Sequence, residues 1–339
     1  MTTILPYIEH LTTLETSGWQ IPAALTLPGP AATFARRDDA ALASAILLVP
    51  GSLFSDVNGD YPAWNAFPHV YAHLAHQLSA RGHAVYRFAK LGPGTGSVVA
   101  EADQSAAVRS WDGRLMIAVA ALEAMRRELA ARHIRAERTI GAGHSEGAVV
   151  ISRVALTNAG RELDGVVLLA GPSVGLLSIM REQVAIGTPP EQLDAATQRL
   201  DAVIAHVRRG EPVPADLATG PGMGATALAS MPDDARRYMR ESDATDPVAL
   251  AAELPQPVFV VQGGNDSSVP QHHAQALMDT LLSRPAESAT AEYLFVPGLT
   301  HMFKIVPPEV TGPGAFGYPG ETDARVAEGI DEWTRRLPA

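Results

Sequence analysis

The sequence predicts an α/β protein with a doubly wound, mostly parallel sheet and a helical cap insertion. Three observations carry this expectation. Six short apolar runs read as strands, most of them bounded by Gly or Pro. Helical patterns lie between them, the alternation that builds a parallel sheet covered on both faces. Roughly eighty residues between Pro172 and Pro257 carry helical patterns but no strand, too long for an ordinary connection.

Taken in order, residues 19–27 read as an early strand in an antiparallel hairpin at the sheet edge. The run 45–49 is the first continuously apolar strand. Phe67, Val70, Tyr71, Leu74 and Leu78 then fall on one helical face. After the strand 84–88, a second helix carries Trp111, Leu115, Ala118, Leu122, Met125 and Leu129 on one side. The strand 139–142 leads into an apolar helix over 148–156, and 166–170 is the next strand. Residues 173–254 read as the cap, with an amphipathic helix over 192–208 and a Gly/Pro loop over 219–224. The strands 258–262 and 293–296 follow, and a last helix carries Val326, Ile330 and Trp333 after an acidic start at Glu321 and Asp323. Residues 1–172 and 255–339 are thus expected to form the core, with the cap over the sheet's carboxyl edge, where open α/β sheets bind ligands.

Composition narrows the function classes. With 26 basic and 37 acidic residues the formal net charge is −11, and there is no basic run. Nucleic acid and anionic membrane are therefore not expected partners. The chain has no cysteine, which excludes disulfides, thiolate metal sites and a Cys nucleophile. The segment from Met1 to Pro6 lacks a positive region and a long apolar stretch, so no signal peptide is expected. No apolar run reaches the ~18–20 residues that span a bilayer, and the expected location is the cytoplasm. Oligomeric state is not legible.

The chemistry is concentrated around Gly143-His144-Ser145-Glu146-Gly147, a G-x-S-x-G pentapeptide set between a strand and a helix. That context is a nucleophile elbow: the serine sits in a strained turn, and small flanking residues let strand and helix approach. Such a fold places its acid and base later, in the order Ser, Asp or Glu, His. Asp266 follows the strand 258–262 and His301 follows the strand 293–296, which completes a candidate Ser145–Asp266–His301 set. His272-His273 is the rival base. Vicinal residues on a helix point about 100° apart and make a poor metal pair, so no metal is assigned. A tetrahedral intermediate needs two backbone donors. These are expected from Glu146, after the nucleophile, and Ser52, in the loop after the strand 45–49. The loop Leu91-Gly92-Pro93-Gly94-Thr95-Gly96-Ser97 lacks the ending of a P-loop and the full dinucleotide spacing, and no cofactor is expected.

On these residues the sequence resembles the bacterial α/β-hydrolase-fold esterases related to the serine-aminopeptidase-like hydrolases. Their G-S-G-P-x-D-R-D-G loop is matched by Gly51-Ser52-Leu53-Phe54-Ser55-Asp56-Val57-Asn58-Gly59. Their R-Y-D-K-R-G-x-G-x-S segment is matched by Arg87-Phe88-Ala89-Lys90-Leu91-Gly92-Pro93-Gly94-Thr95-Gly96-Ser97. The G-H-S-E-G-G elbow matches through Gly147, with Ala148 next. Leu53 and Phe54 replace a Gly-Pro pair, and Ala89 and Leu91 replace charged residues, so substrate preference does not carry over. The resemblance implies a serine esterase acting on a small-molecule acyl ester through an acyl-enzyme. Acyl transfer, thioester or lactone hydrolysis by the same residues, and a silent acyl-binding fold, are the alternatives. Leu53, Leu177 and Met180 are expected to line the substrate site; for Leu177 and Met180, packing of the cap is the competing expectation.

Overall fold

The edge hairpin expected around residue 19 is longer than its sequence signal. The computed structural model, which describes residues 5–32, 41–101, 109–220, 222–285, 289–307, 309–310 and 312–338, begins with β1, Tyr7–Thr16. Met1–Ile4, in the segment read for targeting, and Pro221 of the Gly/Pro loop lie outside the described residues. β1 pairs antiparallel with β2, Trp19–Pro28, over its whole length. Ser17 and Gly18 turn the chain with φ of 46° and 75°, the two positive values that a two-residue hairpin of matching twist needs. β1 gives little sequence signal because it is an edge strand with Glu, His and Thr in solvent, and Leu14 is its one buried side chain.

The remaining strands are β3 (Ser44–Val49), β4 (His83–Phe88), β5 (Val98–Val99), β6 (Thr139–His144), β7 (Gly165–Leu169), β8 (Val258–Gly263) and β9 (Ala291–Val296). Among the described residues they form one sheet in the order β1-β2-β4-β3-β6-β7-β8-β9, with the short β5 paired to β2. Every pairing from β4 to β9 is parallel. β3, β4, β6, β7 and β8 are buried almost throughout, as strands covered on both faces must be.

Helices α1 (Val70–Ser79), α2 (Trp111–Ala131) and α3 (Glu146–Ala155) precede the insertion. The insertion holds α4 (Leu176–Gly187), α5 (Pro190–Arg209), α6 (Ala215–Ala218), α7 (Met223–Ser230), α8 (Asp233–Asp243) and α9 (Pro247–Glu253). It is followed by α10 (Gln271–Leu282), α11 (Gly312–Phe316) and α12 (Ala324–Arg336). α2, α3 and α10 bury their apolar sides on one face of the sheet, and α1 and α12 on the other. Phe67 lies outside α1 and is exposed. Pro68 disfavours helical backbone at the residue before it, and His69 caps the helix at φ 52°. Between β7 and β8 no described residue is in a strand, and Leu177, Leu200, Val203, Ile204, Val207 and Leu228 form a separate apolar cluster there. No helix among the described residues is long and apolar enough to cross a membrane.

Candidate active site

The turn between β6 and α3 holds Ser145 at φ 55° and ψ −124°. A non-glycine residue there costs on the order of 1–3 kcal/mol and persists only where its surroundings hold it. Ser145 N–H is fixed by Leu169 O at 2.8 Å. The flanking glycines are needed for approach: a Cβ on Gly143 would stand 2.0 Å from Gly147 O, and one on Gly147 would stand 2.4 Å from Val49 O. Strand and helix could not close the elbow with any side chain at either position.

Asp266 and His301, 35 residues apart, come together at the carboxyl ends of β8 and β9. His301 Nδ1–H donates to Asp266 Oδ2 at 2.8 Å, which leaves Nε2 as the acceptor nitrogen. The other carboxylate oxygen accepts from Ser268 N and Val269 N, each at 2.8 Å, so the acid cannot rotate freely. The Asp266 side chain is fully buried and that of His301 nearly so. No hydrogen bond joins the Ser145 hydroxyl to His301 among the described residues. Contacts of this kind often tighten only when substrate fills the site.

Two residues that the sequence left unassigned tie these parts together. Gly51 N–H donates to Tyr71 Oη at 2.7 Å, Tyr71 O–H lies 3.1 Å from His144 Nδ1, and His144 Nε2 lies 3.0 Å from His301 O. Because a carbonyl can only accept, His144 carries its proton on Nε2 and Tyr71 donates to Nδ1. Burial pushes the Tyr71 phenol up to about 12, which keeps its proton, and burial also holds His144 well below the ordinary histidine range. One directed chain thus links the loop after β3, the elbow and the loop carrying His301. Its sequence signal was the variable position of the elbow motif and an aromatic on the buried face of α1.

Gly51 N–H is consumed in that chain, and the Ser52 and Glu146 N–H groups make no hydrogen bond to another described residue. The Glu146 side chain braces both positions. Its carboxylate accepts from Lys90 Nζ at 2.8 Å, Tyr238 Oη at 2.8 Å, Ser52 Oγ at 3.3 Å and Arg114 Nε at 3.4 Å. Tyr238 lies on α8, so this single buried carboxylate also ties the elbow to the helical insertion. Burial alone would raise its pKa, but the Lys90 and Arg114 charges and the bonds from Lys90 and Tyr238 outweigh that and hold it down to about 2. Burial pushes Lys90 down to about 8 against the pull of Glu146.

A carboxyl lowered in the fold stabilises above its ordinary pKa, and that contribution is lost as pH falls through the folded value. For Glu146 the window runs from 4.5 down to about 2. The native chain is therefore expected to lose urea resistance between pH 5 and pH 3 more steeply than Glu146→Gln. Equal slopes of the unfolding midpoint against pH would show that the carboxylate makes no such contribution.

The other expected residues are placed as follows. His273 is buried with Nδ1 2.9 Å from Ser173 Oγ and Nε2 2.9 Å from Glu182, and His272 is exposed. Neither contacts Asp266 through a hydrogen bond. Leu53 is about half exposed and adopts φ 66° beside Ser52. Leu177 is fully buried in the insertion's own cluster, and Met180 packs against that cluster. The competing expectation, that they pack the cap, describes their contacts. Neighbouring positions on a helix point about 100° apart, and it is Leu176 that turns to the elbow. There it joins Trp111, Val149, Pro172, Val174 and Pro247 around a narrow cleft beside Glu146. A second narrow cleft lies against His301, with Asn265, Ser268, Thr300 and Phe316 in its wall.

A strained serine elbow after β6 with an Asp–His pair at the ends of β8 and β9, on a mostly parallel sheet, defines the α/β proteins built around a nucleophile elbow. Residues 46–309 match the Alpha/beta hydrolase family, and the chain belongs to it. No curated protein matches the chain. Among solved structures it is similar to Est1E from Butyrivibrio proteoclasticus with ferulic acid bound (14% identity, TM-score 0.51, 96% of this chain and 98% of that one). It is also similar to carboxyl esterase 2 from the fungus Tuber melanosporum (14% identity, TM-score 0.51, 98% and 87%). A third is a puromycin-hydrolyzing peptidase of Mycobacterium tuberculosis (16% identity, TM-score 0.54, 97% and 40%). At these identities the likeness is one of fold.

Proposed function

We propose that the protein is a serine hydrolase of carboxylic esters, of the group allied to the serine-aminopeptidase-like hydrolases. The observation that carries this reading is the 2.8 Å bond between His301 Nδ1 and Asp266 Oδ2, at the sheet edge where Ser145 is held in its strained turn. Ser145 Oγ attacks the ester carbonyl while His301 Nε2 takes its proton, then returns it to the departing alcohol. Asp266 keeps the Nδ1–H tautomer and stabilises the imidazolium. The amides of Ser52 and Glu146 hold the oxyanion, and the Glu146 carboxylate keeps those two residues in register. Water then repeats the sequence on the acyl-enzyme. No cofactor takes part.

The apolar cleft between α3 and the insertion is the site we assign to the acyl group, since ligand sites are mostly apolar with few fixed polar groups. Each methylene buried there is worth roughly 0.8 kcal/mol. Leu176→Ala is therefore expected to change the ratio of kcat/KM for octanoyl and acetyl esters severalfold, with the acetyl rate little altered. A constant ratio across the acyl series would remove this cleft from the substrate site.

A fluorophosphonate tests the class of activity: one label per chain, on Ser145, is expected. Absence of labelling in folded protein would favour a silent acyl-binding fold. Parallel rates on ester, amide, thioester and lactone analogues separate an esterase from the other reactions of the same triad.

A further inference from the structure

Glu182 of α4 and the vicinal pair His272-His273 of α10 meet where the helical insertion packs on the sheet domain. Glu182 Oε2 stands 2.9 Å from His273 Nε2 and 3.3 Å from His272 Nε2, and the three groups' ligand atoms all lie within 4.8 Å of one another. Divergence of neighbours along a helix argued against a metal pair. In the first turn of α10, however, the two rings lie 4.1 Å apart and both reach the same carboxylate.

We propose that Glu182, His272 and His273 form a binding site for one Zn²⁺ ion that clasps α4 to α10, with a fourth position open to water. Donors at 2.0–2.2 Å from a tetrahedral ion stand about 3.3 Å from each other, the spacing already adopted by the carboxylate and the imidazole nitrogens to within a few tenths of an ångström. His272 is exposed and can rotate to close the remaining gap, while His273 is fixed by burial. A metal-bound imidazole needs an acceptor for its other N–H. Ser173 Oγ lies 2.9 Å from His273 Nδ1 and supplies one. Without metal, Ser173 N–H donates to that same nitrogen at 3.3 Å, so the proton sits on Nε2 and faces Glu182. Binding moves this proton from Nε2 to Nδ1, where Ser173 Oγ accepts it and Ser173 N–H gives up its 3.3 Å bond to that nitrogen, with no net release from a neutral ring. Two imidazoles and one carboxylate favour Zn²⁺ over Mg²⁺ or Ca²⁺. The clasp adjoins the acid loop: Gln183 Nε2 donates to Ser268 O at 2.9 Å, and Ser268 N–H is one of the two amides on Asp266.

The test uses the full chain stripped of metal, titrated with Zn²⁺ by calorimetry and followed by thermal melting. One Zn²⁺ per chain is expected, with a rise in Tm of about 3–6 °C at roughly a hundredfold excess over Kd. Mg²⁺ and Ca²⁺ are expected to give neither signal. His272→Ala removes an exposed ring and Glu182→Gln keeps a hydrogen-bonding side chain, so both variants should fold. Each is expected to weaken Zn²⁺ by more than about tenfold while the metal-free Tm stays within a few degrees. No binding by the native chain, or undiminished binding by His272→Ala, would overturn the proposal. Neither readout depends on ester turnover, so the clasp and the hydrolase reading stand or fall separately.

Discussion

Ser145→Ala is expected to remove ester turnover by on the order of 10⁶, the cost of deleting a triad nucleophile in a serine protease. The loss should be nearly all in kcat, because the apolar cleft beside Glu146 and the amides of Ser52 and Glu146 remain. The fold should survive. Ser145 Oγ caps nothing at the start of α3, and the N–H that anchors the elbow to Leu169 is a backbone group. Alanine carries the same Cβ into the same positive-φ turn, so the strain is unchanged rather than relieved. Steady-state rates on purified protein with a matched thermal melt decide the matter. Substantial turnover in Ser145→Ala would end the nucleophile assignment.

Asp266→Asn is the second large effect, with an expected loss of about 10⁴ in kcat and little loss of stability. The reason lies in which oxygen is already committed. Oδ1 accepts from the Ser268 and Val269 amides at 2.8 Å each, a role the Asn carbonyl keeps. Oδ2 accepts only a long 3.4 Å bond from Gln262 Nε2 besides that from His301, so the new NH₂ group is expected at the Oδ2 position facing His301. An NH₂ there donates to Nδ1 and drives the imidazole proton to Nε2. In that tautomer His301 cannot accept from serine. Two-dimensional NMR of the imidazole nitrogens reads the tautomer directly, and an unchanged Nδ1–H signal in Asp266→Asn would refute the explanation even if the rate fell. His301→Ala should fall near the serine variant, whereas His272→Ala should leave turnover close to native.

Much of this was legible in the chain because parallel sheets write themselves as continuous apolar runs. β3, β4, β6, β7, β8 and β9 all begin within two residues of the runs that announced them. The Gly143–Ser145–Gly147 spacing was legible for a steric reason, since a Cβ at either glycine would strike backbone. β1 was not legible, because an edge strand with one face in solvent carries few apolar residues. Phe67 was misplaced because its apolar side chain fits the helical period while Pro68 forbids the backbone. Leu177 fits an acyl pocket and a cap core equally well by composition, and its burial is decided by which way one turn of α4 faces.

By itself the sequence determined the elements, their order and the residue types at the strand ends. These depend on local terms: side-chain period, turn chemistry and the sterics of glycine and proline. Only the tertiary structure decided the partners. That Asp266 reaches His301, that Tyr71 orients His144, that Glu146 gathers Lys90, Arg114, Tyr238 and Ser52, and that His272 and His273 share Glu182 are facts of distance. Hydrogen bonds and ion pairs act over a few ångströms, and a chain's sequence records no distances beyond its own nearest turns.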